Sequence, residues 1–474
     1  MNTSSRSAWH YFSVACLLAF TALPVIAETQ KNSGATNADL ASLDKEFQKY
    51  SSRFYTMLVR SENAKKIDTI EQLAQTVDHY RNQNQPVSAT AAIINNLGLV
   101  EKNIDTTAII DVCRVLFETN EWNTASQLYG KLKKQGDKSL VSNASLSLAK
   151  HYFSRNQWKE TIGIVETTRS DLPPEDYHHA LLMHGISLQQ LQKHRLALVQ
   201  YSRIPKTSQY YAAARLNMAI ANIRQDWWTD AHIIINDLLG DKDQSQNRLL
   251  TDRLYTVLGY SLLQQQYFRN SREAFRSVSL DGEYARKALL GIALTAAHQE
   301  DYIGALSAIK NLKDSKIRDL PVDEANMLLP FFYEKLQQQT TASAGYVDAI
   351  KYYEDRTDNL RNAIQVDTAA LWKQLAAGTS TVTVNGEITD FSEKLPRFIF
   401  DNVRILALFE PHTVRIGDAA LLREYNSLSA AYGLALQKVA RNILEERTAH
   451  LNHYMNQSRY GLARMQDKNA TTAQ

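Results

Sequence analysis

Few residues in this sequence have the types and spacing that catalysis requires. Ser147 and Lys150 form a Ser-x-x-Lys string, which recurs at 307–310, and in such a string the lysine can activate the serine as a nucleophile. The companion Ser-Asp-Asn and Lys-Thr-Gly motifs of Ser-x-x-Lys enzymes are absent from the sequence. Leu148 and Ala149 fit the core of a helix, so Lys150 is interpreted as an exposed residue of that helix. The sequence also lacks a Gly-rich phosphate loop, a His-Glu-x-x-His helix and a Gly-x-Ser-x-Gly elbow, and it predicts no catalytic residue.

Four histidines lie close together in the sequence, which raises the question of a metal site. They are His178, His179, His184 and His194. On a helix, His179 and His184 are five residues apart and do not share a face. No cysteine or carboxylate completes a zinc set at the spacing that zinc ligands require. The sequence therefore predicts no metal and no other cofactor, and these histidines are interpreted as a mixture of surface and core side chains.

A spaced aromatic residue is the strongest pattern in the chain. Its positions are Trp122, Trp158, His194, Trp228, Phe268 and Tyr302, with gaps of 36, 36, 34, 40 and 34 residues by subtraction. Nine residues before each lies a small residue: Cys113, Ala149, Gly185, Ala219, Gly259 and Ala293. A second small residue lies three residues after each aromatic position: Ala125, Thr161, Ala197, Ala231, Ser271 and Ala305. A larger apolar residue lies seven residues after each: Tyr129, Val165, Tyr201, Ile235, Phe275 and Ile309. Self-similarity at this period indicates stacked helix pairs, a helical solenoid.

These four sets of equivalent positions, here called columns, resemble the pattern of the tetratricopeptide repeat. That family places a small residue in the first helix of each unit, an aromatic residue at the start of the second helix, and then an alanine and a bulky residue. The resemblance covers roughly Thr106 to Leu312, with less regular offsets over 70–353. Two positions depart from the family pattern, since His194 replaces an aromatic residue and Thr161 replaces an alanine. The resemblance implies an all-α, right-handed superhelix of helix pairs with a concave binding surface.

The resemblance also implies which side chains touch a partner. In tetratricopeptide proteins, the inner face of the first helices contacts an extended peptide or a partner helix. The corresponding groove residues here are Arg114, Phe117, Asn143, Lys150, Phe153, His179, Gln189, Gln190, Arg224, Arg253, Tyr260, Gln264, Lys287 and His298. Arginine and tyrosine dominate the energetics of many interfaces, and the basic members would attract an acidic segment or polymer. The alternative interpretation is a solvated helix face, because any exposed surface carries charges.

Composition and charge limit the class of protein. The chain has 474 residues, 44% of them hydrophobic, and a formal net charge of +3. This balance lacks the clustered basic face of a nucleic-acid-binding protein, so no nucleic-acid partner is predicted. Residues 1–27 have the pattern of an export signal, with Arg6 before an apolar stretch and cleavage after Ala27. The alternative is an uncleaved anchor, but the apolar stretch is short and contains Pro24.

Cleavage after Ala27 leaves Cys113 as the one cysteine of the chain, so no internal disulfide is predicted. Because Cys113 occupies a small-residue column, it is interpreted as a buried apolar side chain and not as a catalytic thiol. After cleavage, no stable transmembrane span remains. The predicted location is the periplasm, with membrane association only through a partner.

The chain divides by pattern into six parts. They are a signal peptide at 1–27, a disordered lead-in at 28–43, N-terminal helices with a degenerate repeat at 44–104, repeats at 105–340, a long-helix region at 341–466 and a disordered tail at 467–474. Asn385-Gly386 between alternating residues predicts a small β-hairpin near 381–389. Two long helices, at 346–377 and 418–465, either pair as a projecting antiparallel coiled-coil hairpin or cap the solenoid.

The functional hypothesis from the sequence is a non-enzymatic periplasmic adaptor. It would bind another envelope protein through the concave face, within an assembly for secretion, polymer export or energy coupling. The stretch from Leu451 to Arg464 is similar to the ends of repeat proteins of Gram-negative envelopes. The alternative hypothesis is an accessory module that binds a glycan polymer, polysaccharide or peptidoglycan, through exposed Trp227, Tyr260 and Phe153 together with basic groove residues.

Overall fold

The computed structural model describes residues 37–61, 66–168, 172–241, 247–363, 367–384, 387–392 and 394–472. The predicted export signal and the Asn385-Gly386 turn lie outside these ranges. Across the described ranges the chain folds into 21 helices and one pair of short strands. The first helix, α1, spans Asn37–Ser61, so it begins within the segment predicted as a disordered lead-in. The predicted all-α fold built from helix pairs is confirmed.

Eight antiparallel helix pairs form the repeat array, with α4 (Leu97–Lys102) as a short addition after the first pair. The pairs are α2 (Ile70–Asn82) with α3 (Pro86–Asn95), α5 (Ala108–Glu118) with α6 (Trp122–Gln135), α7 (Lys138–Ser154) with α8 (Trp158–Thr167), α9 (Pro174–Gln190) with α10 (His194–Tyr201), α11 (Tyr211–Ile223) with α12 (Trp228–Gly240), α13 (Arg248–Gln264) with α14 (Phe268–Arg276), α15 (Ala285–His298) with α16 (Tyr302–Lys313), and α17 (Leu320–Lys335) with α18 (Gln339–Ala363). The six aromatic column residues each begin the second helix of a pair, as predicted.

Every pair is joined by the same backbone turn. The turn contains one left-handed residue, with φ between 56° and 63°, two positions before the second helix. The eight residues are Asn84, Asn120, Asn156, Gln192, Asp226, Gln266, Glu300 and Gln337. The amide that follows each of them donates to the carbonyl five residues earlier, at 2.8 to 3.0 Å, as in a Schellman C-cap. This shared turn makes α2 with α3, and α17 with α18, members of the same array.

Glycine at one of these turns is expected to stabilise the protein, because L residues pay a steric penalty in the left-handed region. Gln266 has an exposed side chain and a φ of 63°. Gln266→Gly should raise the free energy of unfolding by about 0.5 to 1 kcal/mol, measured by urea denaturation. The matched control is Gln264→Gly in the last turn of α13, which should lower that free energy by about 0.5 to 1 kcal/mol. Equal effects of the two glycines would contradict this account of the turn.

The predicted columns meet inside each pair. A Cβ added at Gly185 would collide with the ring of Tyr201, and one added at Gly259 would lie 2.7 Å from the ring of Phe275. Ser271 Oγ donates to the carbonyl oxygen of Gly259 at 2.6 Å. The small residues therefore let two helices approach closely around one large ring, which is why they recur together with it.

The C-terminal elements fold back over the array. They are α19 (Thr368–Ala376), β1 (Thr381–Val384), β2 (Glu387–Asp390), α20 (Arg397–Ile416) and α21 (Ala419–Thr472). The strands pair antiparallel, with Thr381 opposite Asp390 and Val384 opposite Glu387. The prediction of one uninterrupted helix over 346–377 is wrong, because α18 ends at Ala363 and Asp367 caps α19 by accepting from the Ala369 amide at 2.9 Å.

The longest helix, α21, packs antiparallel along α18. Tyr346 contacts Gly461 near one end of the pair, and Tyr353 lies 6.0 Å from the Tyr454 ring further along. The helix is buried at intervals along its whole length, at Leu421, Tyr432, Leu444, Leu451 and Met465. It therefore caps the array as part of the body, and it is not a projecting hairpin. It continues to Thr472, so helix also occupies most of the predicted disordered tail.

Helix α1 packs against both the C-terminal helices and the first repeats. Phe54 stacks on Phe409 of α20 with ring centroids 4.1 Å apart, and Tyr50 lies 6.0 Å from the Tyr425 ring of α21. The same core includes Val87 and Ala91 of α3. The C-terminal helices are thereby held beside the first repeats, so the concave face of those repeats is partly covered by the chain itself.

Candidate functional site

A cavity of about 1440 Å³ lies between the concave face of the early repeats and the C-terminal region. One wall is formed by the first helices of the second, third and fourth pairs, α5, α7 and α9, together with residues around the turn of the first pair, including Arg81. The other wall is formed by residues from 377–380 and 394–405, which include the N-terminal half of α20, together with Ser392. Two segments more than 180 residues apart in sequence therefore build one site.

Six of the predicted groove residues line this cavity. They are Arg114, Phe117, Lys150, Phe153, His179 and Gln190. Arg114 and Lys150 occupy equivalent positions 36 residues apart, and so do Phe117 and Phe153. The repeat therefore places a cation and an aromatic ring close together on the first helices of consecutive pairs, α5 and α7.

Residues of the second wall were missed by the sequence analysis. The charged and aromatic residues contributed by α20 are Arg397, Phe400, Asp401 and Arg404, and Lys394 precedes the helix. A signal for α20 does exist. Pro396 caps a helix whose buried positions, including Phe398, Ile405 and Phe409, recur at spacings typical of one helix face.

The cavity carries an excess of positive charge. Several of its cations have partners: Arg114 with Asp111 at 3.0 Å, Arg155 with Asp44 at 3.2 Å, Lys394 with Glu446 at 2.8 Å, and Arg81 with Glu118 at 3.8 Å. Lys150, Arg397 and Arg404 have no carboxylate within 4 Å among the residues that the structure describes. Asp401 lies near Arg397, Arg404 and Arg155, and burial raises the pKa of its carboxyl despite their charges.

Histidines add no charge to this cavity at neutral pH. Burial lowers the pKa of His151 to about 2, and its ring stacks on Trp122 at 4.7 Å. Burial also lowers the pKa of His179, which stacks on Tyr210 at 4.7 Å. The positive character of the cavity therefore comes from lysine and arginine, and it persists across the neutral pH range.

A buried polar cluster holds the two walls together. Asn120, the left-handed residue of the second turn, donates to Asn402 Oδ1 of α20 and accepts from Arg155 of the third pair. Asn402 Nδ2 donates to Asp44 Oδ1 of α1 at 3.0 Å and to the Tyr432 hydroxyl of α21 at 2.8 Å. We call Asp44, Asn120, Arg155, Asn402 and Tyr432 the closure cluster, because it links α1, two repeats, α20 and α21.

The second turn makes further contacts with α1. Gln48 Nε2 donates to the Asn120 carbonyl at 2.9 Å, and Gln48 Oε1 accepts from the Trp122 amide at 3.1 Å. The buried Glu121 carboxylate accepts from Ser51 at 2.5 Å and from Ser52 at 3.1 Å. Burial raises the pKa of Glu121 even though these hydroxyls favour its charged form. The first wall is thus fixed to α1 through both side chains and backbone.

The remaining predicted groove residues lie outside this cavity. Asn143 lines a smaller cavity of about 540 Å³, which it shares with Arg114. Gln189 is a correction to the prediction, because it is buried and its Oε1 accepts from the Tyr201 hydroxyl at 2.8 Å. The others are dispersed along the later repeats: Arg224, Arg253, Tyr260, Gln264, Lys287 and His298.

Two of the later groove residues have structural partners. The Tyr260 hydroxyl donates to the Lys287 carbonyl at 2.7 Å, and its ring meets the Phe275 ring edge-on at 4.6 Å. His298 stacks on Phe268 at 4.9 Å. The later part of the concave face is consequently more engaged in packing between repeats than the sequence analysis expected.

The residues considered for catalysis lie either in the helix core or on the cavity wall. Cys113 is buried, and burial raises the pKa of its thiol to about 12, which disfavours the nucleophilic thiolate. Leu148 and Ala149 are buried, while Ser147 and Lys150 line the cavity.

In the ranges given above, no group of three or more His, Cys, Asp or Glu side chains is placed to hold a metal ion. Among these same residues, no helix combines the length and apolar character needed to cross a membrane.

Comparison with known proteins gave limited results. No family model matches the chain. No curated protein matches it either. The chain is similar to the crystal structure of the apo form of RapI, at 12% identity and a TM-score of 0.44, over 77% of this chain and 97% of that chain. It is also similar to a circular tandem repeat protein with novel repeat topology, at 12% identity and a TM-score of 0.14, over 93% and 100% of the two chains. TM-scores this low do not establish a shared fold, so the repeat architecture rests on the chain's own helix pairs and turns.

Proposed function

We propose that this chain is a non-enzymatic scaffold of the periplasm that binds a segment of another envelope protein in the two-walled cavity. The observation that carries the proposal is the cavity itself, which is large, concave, rich in cations and lined on both walls by aromatic side chains. Its volume of about 1440 Å³ exceeds the roughly 300 to 1,000 Å³ that is usual for small-molecule sites. A stretch of partner polypeptide fits such a volume better than a metabolite does.

The export pattern at 1–27 supports the periplasmic location, and the helix-pair array supports a binding role. Stacked helix pairs create extended concave surfaces that are suited to holding a partner. The adaptor would act within a multiprotein assembly of the envelope, and secretion, polymer export and energy coupling are the assemblies that this proposal covers.

The alternative function is a module that binds polysaccharide or peptidoglycan. This function requires aromatic rings whose faces are free to stack on sugars. The rings that the sequence analysis proposed for this role already pack against other side chains. Arg195 lies over the Trp227 ring at 5.2 Å, and Phe153 packs against Trp158 with ring centroids 5.5 Å apart. These contacts favour the protein-binding function over the glycan-binding one.

Photo-cross-linking in cells tests the proposed function. A photoreactive amino acid at Gln190, which lines the cavity, should capture one envelope protein in stoichiometric amount from the periplasmic side. The matched control is the same amino acid at Gln135, an exposed position at the end of α6 outside the cavity, which should not capture that protein. Capture at neither position, together with tight binding of wall fragments by the purified protein, would replace the scaffold function with the glycan-binding one.

A further inference from the structure

We propose that the cavity recognises a carboxylate-rich segment of the partner protein, and that Arg397 and Arg404 of α20 recognise it together with Lys150 of α7. This inference rests on the proposed function, because it names the chemistry of the segment that the scaffold would bind. It also assigns half of the recognition to the C-terminal region, which is not part of the repeat array.

The three cations support this assignment by their positions. Lys150 lies on the repeat wall, and Arg397 and Arg404 lie on the α20 wall, so they border one space from opposite sides. None of the three is within 4 Å of a carboxylate in the portion of the chain that the structure describes. Other cations of the same cavity do have such partners, including Arg114, Arg155 and Lys394. A ligand with several carboxylates would pair with the first three cations directly, whereas Asp401 acts on the two arginines only from beyond 4 Å.

The surroundings of these cations favour a polypeptide over an acidic glycan. The half-buried Phe153 and Phe400 are part of the lining, one on each wall, so apolar surface adjoins the charged groups on both sides. An acidic peptide with interspersed apolar residues matches this mixture, since its carboxylates and its apolar side chains are both satisfied. A polyuronic acid would offer carboxylates but would need open ring faces for stacking, and the ring of Trp158 already packs against Phe153.

Asp401 provides an internal check on the inference. It lies between Arg397 and Arg404 on α20, lines the cavity, and in its ionised form places one negative charge there. Repulsion between this carboxylate and an acidic ligand should weaken binding. Removal of the charge by Asp401→Asn should therefore tighten binding of an acidic peptide, an effect opposite to that expected when a site residue is merely disrupted.

Fluorescence anisotropy with the purified protein tests the inference. The probe is a labelled peptide in which glutamate alternates with leucine and glycine, compared with the same peptide containing glutamine in place of glutamate. The glutamate peptide should bind at least about tenfold more tightly, as expected when several exposed ion pairs act together, and the preference should decrease as salt is added. Oligogalacturonate serves as the acidic glycan probe and should bind more weakly than the glutamate peptide.

Two sets of variants assign the effect to the cavity. The triple variant Lys150→Gln, Arg397→Gln, Arg404→Gln should lose the preference for glutamate. The control triple variant Lys133→Gln, Lys134→Gln, Lys159→Gln has the same change in net charge on exposed residues outside the cavity, and it should keep the preference. Asp401→Asn should tighten binding of the glutamate peptide by about two- to fivefold, as removal of one repulsive charge predicts.

Several results would overturn the inference. They are an absence of preference for glutamate, an equal loss in both triple variants, weaker or unchanged binding by Asp401→Asn, and tighter binding of oligogalacturonate than of the peptide. Failure of the inference can be told apart from failure of the scaffold function. If Gln190 captures a partner in cells but the cross-linked segment is not acidic, the scaffold function stands and only the ligand chemistry is wrong.

Discussion

Replacement of Arg155 by methionine is expected to lower the free energy of unfolding by about 3 kcal/mol, since removing one partner of a buried ion pair leaves the other uncompensated. The Arg155 side chain is 8% exposed and lies 3.2 Å from Asp44. It also donates to Asn120 and lies over the Phe398 ring at 5.0 Å. Methionine keeps the apolar contact with Phe398 and removes the charge and the polar contacts with Asp44, Asn120 and His151. Urea denaturation followed by circular dichroism measures the loss.

The location of the effect is as informative as its size. Hydrogen exchange in the Arg155→Met variant should accelerate first in α1 and α20, because the closure cluster ties these helices to the repeats. The matched control is Arg269→Met, whose pair with Glu273 is highly exposed, at 86% and 62%. That control should change the free energy of unfolding by less than about 0.5 kcal/mol. Equal losses for the two variants, or exchange that accelerates only within α7 and α8, would show that Arg155 does not hold the walls together.

The second large effect is expected at Phe275, which lies between two glycines of consecutive pairs. A Cβ at Gly259 of its own pair would lie 2.7 Å from the Phe275 ring, and a Cβ at Gly291 of the next pair would collide with the same ring. Phe275→Ala should lower the free energy of unfolding by about 4 kcal/mol, because it removes a buried ring and leaves a cavity. The helix backbone on both sides of this cavity limits its collapse.

The glycines make this prediction specific. Gly291→Ala should be destabilising by about 1 to 3 kcal/mol in the natural protein, since the added methyl group collides with the ring. In a Phe275→Ala background the same change should be neutral or stabilising, because the methyl group then enters the vacated space. As a control, Gly163→Ala in α8 has no atom within 4 Å of the added Cβ and should stabilise by about 0.5 to 1 kcal/mol. Strictly additive effects of Phe275→Ala and Gly291→Ala would contradict the contact.

The closure cluster has a consequence for binding. The cavity exists because α20 is held against the repeats, both by the apolar core around Phe409 and by buried or half-buried polar groups from five separate elements. A buried polar cluster strongly favours one arrangement, since a partly satisfied set of hydrogen bonds is unfavourable in a low-dielectric interior. The two cationic walls are therefore presented to a ligand in a fixed relation, which reduces the entropy lost on binding.

The sequence by itself determined the repeat array. The contacts that define each unit are local: Gly185 meets Tyr201 and Gly259 meets Phe275, each only 16 residues along the chain. Such short separations leave a periodic trace, so six units, the helix order and several residues of one cavity wall followed from the pattern of small and aromatic residues. The eight shared turns were not foreseen, because Asn, Gln, Asp and Glu occupy a position where glycine is the expected signal.

Only the tertiary structure decided where the C-terminal region lies and what the binding site contains. The bonds from Asn402 to Asn120 and to Asp44 span 282 and 358 residues. Contacts at such separations occur once and leave no period in the sequence, so neither the second wall nor the roles of Arg397 and Arg404 followed from it. A periodic sequence pattern reflects contacts that neighbouring segments make in every repeat. The packing of the C-terminal region on the first repeats depends instead on one pair of complementary surfaces that are distant in sequence.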